Sequence, residues 1–226
     1  MIMQRFLYRY LRASLVFGLL WLALAATAHA REHSILVLGD SISAAYGMSL
    51  EQGWVALLAG QLEQDYPRQY TVVNASISGE TTAGGLRRLP SLLQQHGPSV
   101  VIIELGGNDG MRGYPLKKLR DNLSSLVDLC KLSGAQVILL PMEIPPNYGA
   151  RYTSGFRQSF VDVAQSTDSV LAPFVMTGVA TDASLMQGDG IHPSVEAQPM
   201  LLDNVLPTII EALADLSINE AGTAAR

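Results

Sequence analysis

Ser34-Ile35-Leu36-Val37-Leu38-Gly39-Asp40-Ser41 is the stretch on which the fold turns. An unbroken apolar run, partly β-branched, leads straight into Gly-Asp-Ser with no polar residue alternating inside it. Such a run suits a strand covered on both faces, the environment of a parallel sheet. The same pattern returns at residues 70–73, 100–104 and 136–140, and more weakly at 170–172. Helices are expected between these runs, near 53–66, 82–96, 116–132 and 154–165, with a last one over 194–216. The third is the clearest: Leu116, Leu119, Leu123, Leu126 and Cys130 recur at three and four residues, and Gly134 stands where a C-terminal glycine belongs. Pro90, Pro199 and Pro207 argue against unbroken helices at those places. Five strands joined by helical crossovers predict an α/β protein, a three-layer α/β/α sandwich around a five-stranded parallel sheet.

The ends of the chain read differently. Arg5, Arg9 and Arg12 precede an apolar run over residues 15–26, and Ala28-His29-Ala30 follows as an A-x-A cleavage site. Residues 1–30 are therefore expected to be a cleavable signal peptide and 31–226 a single domain, exported to the periplasm and without a stable membrane anchor. The uncharged stretch falls short of the roughly 20 residues a membrane span needs. Removal of three arginines would leave 12 basic against 20 acidic side chains. That balance, with no basic stripe, excludes nucleic acid as a partner. Cys130 is the one cysteine, so no internal disulfide can form; on the apolar face of its helix it reads as a buried filler. The tail beyond Ile218 is small and polar and is expected to fray.

The chemistry-bearing residues fall in loops that follow predicted strands or open predicted helices, and such loops meet at the carboxyl edge of a parallel sheet. Ser41 after Gly39-Asp40 would ordinarily be a helix cap, and a nucleophilic role requires a base within hydrogen-bond reach. Of four histidines, His29 leaves with the signal, His33 sits near the new terminus and His96 ends a surface helix, which leaves His192. Pro193 is expected to open the last helix and aim that imidazole. Asp189, three residues earlier, can accept the imidazole Nδ1 proton, as the third member of a triad does. Gly79 can bring a backbone N–H close to a substrate, Asn108 offers a side-chain amide, and the N–H of Ser41 is a third donor for an oxyanion. The order Ser, Asp, His matches the α/β-hydrolases, but Gly39-Asp40-Ser41-Ile42-Ser43 is not their G-x-S-x-G elbow. No H-E-x-x-H or cysteine cluster supplies metal ligands, so no metal is expected.

Gly39-Asp40-Ser41, Gly79, Gly107-Asn108-Asp109 and Asp189-Gly190-Ile191-His192-Pro193 resemble, in order, the four blocks of the SGNH (GDSL-type) hydrolases. Residues 74–79 and 104–110 look closer still to the bacterial periplasmic members of that family that act on thioesters, lysophospholipids and aryl esters. The resemblance implies a flavodoxin-like sandwich, Ser41 as nucleophile, and Asp189 and His192 completing a triad. It also implies Ser41, Gly79 and Asn108 in the oxyanion hole, and no cofactor. Glu80 departs from the family's usual shorter Asp, at the loop that carries Gly79.

Met111, Ile144 and Tyr148, in the loops after the third and fourth strands, are expected to wall an apolar substrate groove. The expected partner is a small acyl ester, thioester or lysophospholipid, met by a monomer. A carbohydrate O-acetylesterase on the same scaffold would need a polar, aromatic sugar platform, and few aromatic residues fall in these loops. A non-catalytic acyl-ligand binder would have no use for nucleophile, base, acid and donors together.

Overall fold

The computed structural model describes residues 33–224, so the expected signal peptide lies outside the described residues. Among these, five strands form one sheet: β1 (His33–Gly39), β2 (Tyr70–Asn74), β3 (Val100–Glu104), β4 (Gln136–Leu139) and β5 (Val170–Leu171). All are parallel, in the order β2-β1-β3-β4-β5. The apolar runs earn this place by burial: Ile35 to Leu38 and Val100 to Ile103 are sealed from solvent. Six α-helices among the described residues accompany the sheet: α1 (Trp54–Asp65), α2 (Thr82–His96), α3 (Gly107–Met111), α4 (Leu116–Leu132), α5 (Ala150–Thr167) and α6 (Gln198–Ala224). One face is covered by α1 and α6, while α2, α4 and α5 pack side by side over the other. In α5, Phe156 and Phe160 meet edge to face with centroids 5.4 Å apart inside the core.

The order of strands matters for function. The chain leaves β1 toward β2 on one side, and β3 returns on the other, so a crevice opens beyond the carboxyl ends of β1 and β3. Gly39 and Glu104 are paired in register at that edge. The turns carrying Ser41 and Asn108 start from this pair.

Three local expectations are corrected. Pro90 and Pro207 lie inside continuous helices α2 and α6, and Pro199 is the second residue of α6. A mid-helix proline costs about 3 kcal/mol, but Pro90 and Pro207 are exposed while their neighbours Leu89, Leu201, Val205 and Ile209 are wholly buried. Burial at roughly 1.5–3 kcal/mol per large side chain outweighs the missing N–H. Pro193 does not open the last helix: it forms an antiparallel bridge to Met186, and α6 begins five residues later after a 3-10 turn. The segment after Ile218 continues α6 to Ala224, no proline intervening to stop it.

Candidate active site

Ser41 stands in the turn after β1. Its hydroxyl lies 2.8 Å from His192 Nε2, and His192 Nδ1 lies 2.6 Å from Asp189 Oδ2. A carboxylate only accepts, so Nδ1 carries the ring proton and Nε2 is left as acceptor for the Ser41 O–H. Asp189 also accepts the N–H groups of Ile191 (2.9 Å) and His192 (3.0 Å). The His192 N–H, then the imidazole and the Ile191 N–H, hold the Asp189 carboxyl down at about 2.

The loop carrying acid and base is braced from both sides. The Gln187 N–H donates to the His192 carbonyl at 2.7 Å, and the Ser194 N–H donates to the Leu185 carbonyl at 2.7 Å, the two bonds flanking the Met186–Pro193 bridge. The Gln187 side chain donates to the carbonyls of Tyr46 (2.7 Å) and Pro193 (3.0 Å), tying this loop to the one after β1. The Tyr46 ring lies over the imidazole, centroids 4.2 Å apart and planes inclined by 30°. Bridge and ring aim His192, where the sequence suggested the helix start.

Gly79 has φ +80°, a conformation that costs a side-chain-bearing residue strain, and open space where a Cβ would stand. Among the described residues nothing accepts the N–H of Ser41 or of Gly79. Asn108, in the first turn of α3, uses one Nδ2 hydrogen on Asp40 Oδ2 (3.1 Å) and retains the other. Asp109 fastens this turn to the start of α2 by accepting the N–H and O–H of Thr82 at 2.9 and 2.6 Å. Glu80, the departure from the family pattern, turns away to Arg88 Nε at 2.7 Å, and Arg88 in turn donates to the Ala75 carbonyl. The Gly79 loop is thereby anchored.

A cavity of about 310 Å³ adjoins Ser41, walled by Met111, Met142, Ile144, Phe174, Met176 and Met186. Met111 and Ile144 thus stand where the sequence suggested. Tyr148 is not part of the wall; it lies half exposed and its hydroxyl donates to the Met111 carbonyl at 2.8 Å, bracing the loop instead.

A family model described as GDSL-like lipase/acylhydrolase matches residues 37–198, a span that holds all of these groups. The chain belongs to the GDSL-like lipase/acylhydrolase family. Esterase TesA of Pseudomonas aeruginosa is 50% identical over 199 residues, 88% of this chain and 98% of that one. Thioesterase 1/protease 1/lysophospholipase L1 of Escherichia coli is 41% identical over 184 residues, 81% of this chain and 86% of the relative. The structure of esterase EstA from Pseudoalteromonas sp., inhibited by monoethylphosphonate, superposes with a TM-score of 0.78 at 44% identity, covering 81% of this chain and all of that one.

Beneath Ser41 of this GDSL-like acylhydrolase lies a set of residues that the sequence reading passed over. Asp40, Ser43 and Glu104 are all buried. Glu104 Oε2 accepts the Ser43 O–H at 2.7 Å and the Asp40 N–H at 3.2 Å. A Cβ at Gly39 would stand 2.6 Å from Glu104 Oε2 and 2.8 Å from Ser43 Cβ, so glycine is what lets the carboxyl in. One signal was available: Glu104 is a charge ending an otherwise apolar strand.

Proposed function

We propose that the protein is a serine hydrolase of acyl esters and thioesters, with Ser41 as nucleophile, His192 as base and Asp189 as the acid that orients it. The observation that carries this reading is the hydroxyl, imidazole and carboxylate in line at 2.8 and 2.6 Å, opening on an apolar cavity. His192 Nε2 takes the Ser41 proton as Oγ attacks the ester or thioester carbonyl. The carbonyl oxygen becomes an oxyanion and receives the N–H groups of Ser41 and Gly79 and the second Nδ2 hydrogen of Asn108. Collapse of the tetrahedral intermediate breaks the bond to the leaving group. The imidazolium, held by Asp189, gives its proton to the departing alcohol or thiol. Water, deprotonated by the same imidazole, then attacks the acyl-enzyme; collapse of this second intermediate breaks the acyl–Oγ bond, releases the carboxylic acid and returns the imidazolium proton to Ser41.

The acyl chain occupies the cavity between Met111, Ile144 and Phe174, whose side chains offer burial but few polar contacts. A sugar would find no ring of hydrogen-bonding side chains there, which favours acyl esters over carbohydrate acetates. The names of the relatives, esterase and thioesterase/lysophospholipase, support the same substrate classes. Triad and cavity come from one chain, and the enzyme acts as a monomer after export and loss of residues 1–30. Among the described residues no helix is long and apolar enough to cross a membrane. A fluorophosphonate probe tests the assignment: it should label wild type at Ser41 and leave Ser41→Ala unlabelled. Labelling at another residue would overturn it.

A further inference from the structure

Glu104 is fully buried at the end of β3, and its two oxygens are used unequally. Oε2 accepts from Ser43 and from the Asp40 N–H, while Oε1 is sealed from solvent and has no donor facing it. An ionised carboxylate in that place would keep a charged oxygen unsolvated and unpaired. The neighbouring acceptor is the carboxyl of Asp40, the residue whose N–H Glu104 Oε2 already accepts at 3.2 Å. Asp40 already receives the Ile42 N–H on Oδ1 at 3.1 Å and the Asn108 amide on Oδ2 at 3.1 Å. Two carboxylates so close cannot both ionise; one proton between them turns repulsion into a hydrogen bond.

We propose that Glu104 is a positioning residue of the hydrolytic site: as a neutral carboxylic acid it donates to the Asp40 carboxylate, which in turn holds the Asn108 amide and the turn bearing Ser41. The inference rests on the proposed roles of Ser41 and Asn108. Burial first, and then the Asp40 charge, drive the Glu104 carboxyl well above the ordinary range, the direction that favours the shared proton on Glu104 over Asp40. Burial also raises the Asp40 carboxyl to about 6, although the hydrogen bonds from Ile42, Glu104 and Asn108 and the nearby His192 pull it down.

With the shared proton on Glu104, Asp40 is the charged member of the pair. It fixes the direction of one Asn108 hydrogen, so that the other faces the oxyanion, and adds a second anion near the His192 imidazolium. The titratable groups facing Asp40 are Glu104 from β3 and His192 from the loop before α6; Asp109, on the same short helix as Asn108, is turned to Thr82. Acid then removes the anion that orients Asn108.

The test compares Glu104→Ala, Glu104→Gln and Asp40→Asn in the full chain, with p-nitrophenyl butyrate as substrate and fluorophosphonate labelling as control. Glu104→Ala leaves Asp40 and Ser43 without their partner and should lower kcat by about tenfold or more with KM little changed. Gln is an uncharged isostere that both donates and accepts, so Glu104→Gln should restore most of kcat. In wild type kcat should carry an acid-limb loss from protonation of Asp40 near about 6, and Asp40→Asn should lack that contribution, on a lower plateau. If Glu104→Gln is as slow as Glu104→Ala, or Asp40→Asn keeps the wild-type acid limb unchanged, the proposal is overturned. Should Glu104→Ala fail to fold by circular dichroism, the Glu104→Gln rate and the comparison of the wild-type and Asp40→Asn acid limbs decide the matter alone. Failure of the probe to label wild-type Ser41 would refute the underlying functional reading instead, a result separate from any ranking of the Glu104 variants.

Discussion

Replacing Asp189 by asparagine isolates the role of its charge, because the two side chains have the same shape. In Asp189→Asn the amide oxygen can still accept the Ile191 and His192 N–H groups now held at 2.9 and 3.0 Å, so the loop should keep its form. The amide NH2 is then forced toward His192 Nδ1, at the position where an acceptor now sits 2.6 Å away. Two donors cannot face each other, so the ring moves its proton to Nε2. That atom lies 2.8 Å from the Ser41 hydroxyl and becomes a donor, leaving the serine with no acceptor for its proton. In Ser-His-Asp enzymes this change of tautomer costs about 10⁴ in kcat, equivalent to about 5 kcal/mol of activation free energy. The assay is steady-state hydrolysis of p-nitrophenyl butyrate together with the rate of fluorophosphonate labelling, and an unchanged melting temperature would show that the fold is intact. A loss smaller than about tenfold in both rates would refute the argument that Asp189 sets the tautomer.

Asn108→Ala should lower kcat by about 10²–10³ with KM nearly constant, since in the proposed mechanism the amide acts on the oxyanion and not on the ground state; a change confined to KM would contradict this. Ile144→Ala, which cuts the cavity wall, should reduce kcat/KM for long acyl esters more than for short ones, each lost methylene contact being worth up to about 0.8 kcal/mol. Parallel losses at every chain length would remove the acyl cavity from the mechanism. The Asp40 carboxyl is raised in the folded state, so its proton stabilises the fold as pH falls through about 6, and that contribution is lost above it. Thermal melts should therefore show Asp40→Asn ahead of wild type at about pH 7.5, with the gap closing by about pH 4.5; a gap that widens in acid would reverse the sign. Cys130, whose thiol burial pushes up to about 12, should resist iodoacetamide in the native enzyme and react in urea.

The sheet was legible because its strands are covered on both faces and therefore apolar without interruption; β1 and β3 announce themselves in this way. The contacts of His192 with Ser41 and Asp189 were legible by elimination among four histidines and by the short spacing from Asp189 to His192. Helix continuity at Pro90 and Pro207 was not, because the burial that overrides a proline comes from neighbours on other elements. Tyr148 looked like a groove residue for its type and place, and only the contact with the Met111 carbonyl shows it as a brace. Tyr46 over His192 depends on the packing of two loops separated by most of the chain, and local pattern carries no trace of that. Glu104 could have been read as an anomaly of charge at a strand end, but its partners, Ser43 and Asp40, become neighbours only once β1 and β3 are paired in register.

The bond between Ser41 and His192 joins residues 151 positions apart, from the turn after the first strand to the loop before the last helix. Acid and base, by contrast, travel together within one short loop. A nascent chain thus carries its serine from an early stage as an ordinary alcohol, with nothing to take its proton. In the proposed mechanism its reactivity waits until the segment after β5 has folded back, where Gln187 is pinned to the Tyr46 carbonyl. On the proposed mechanism, the appearance of esterase activity would therefore report completion of the whole sandwich.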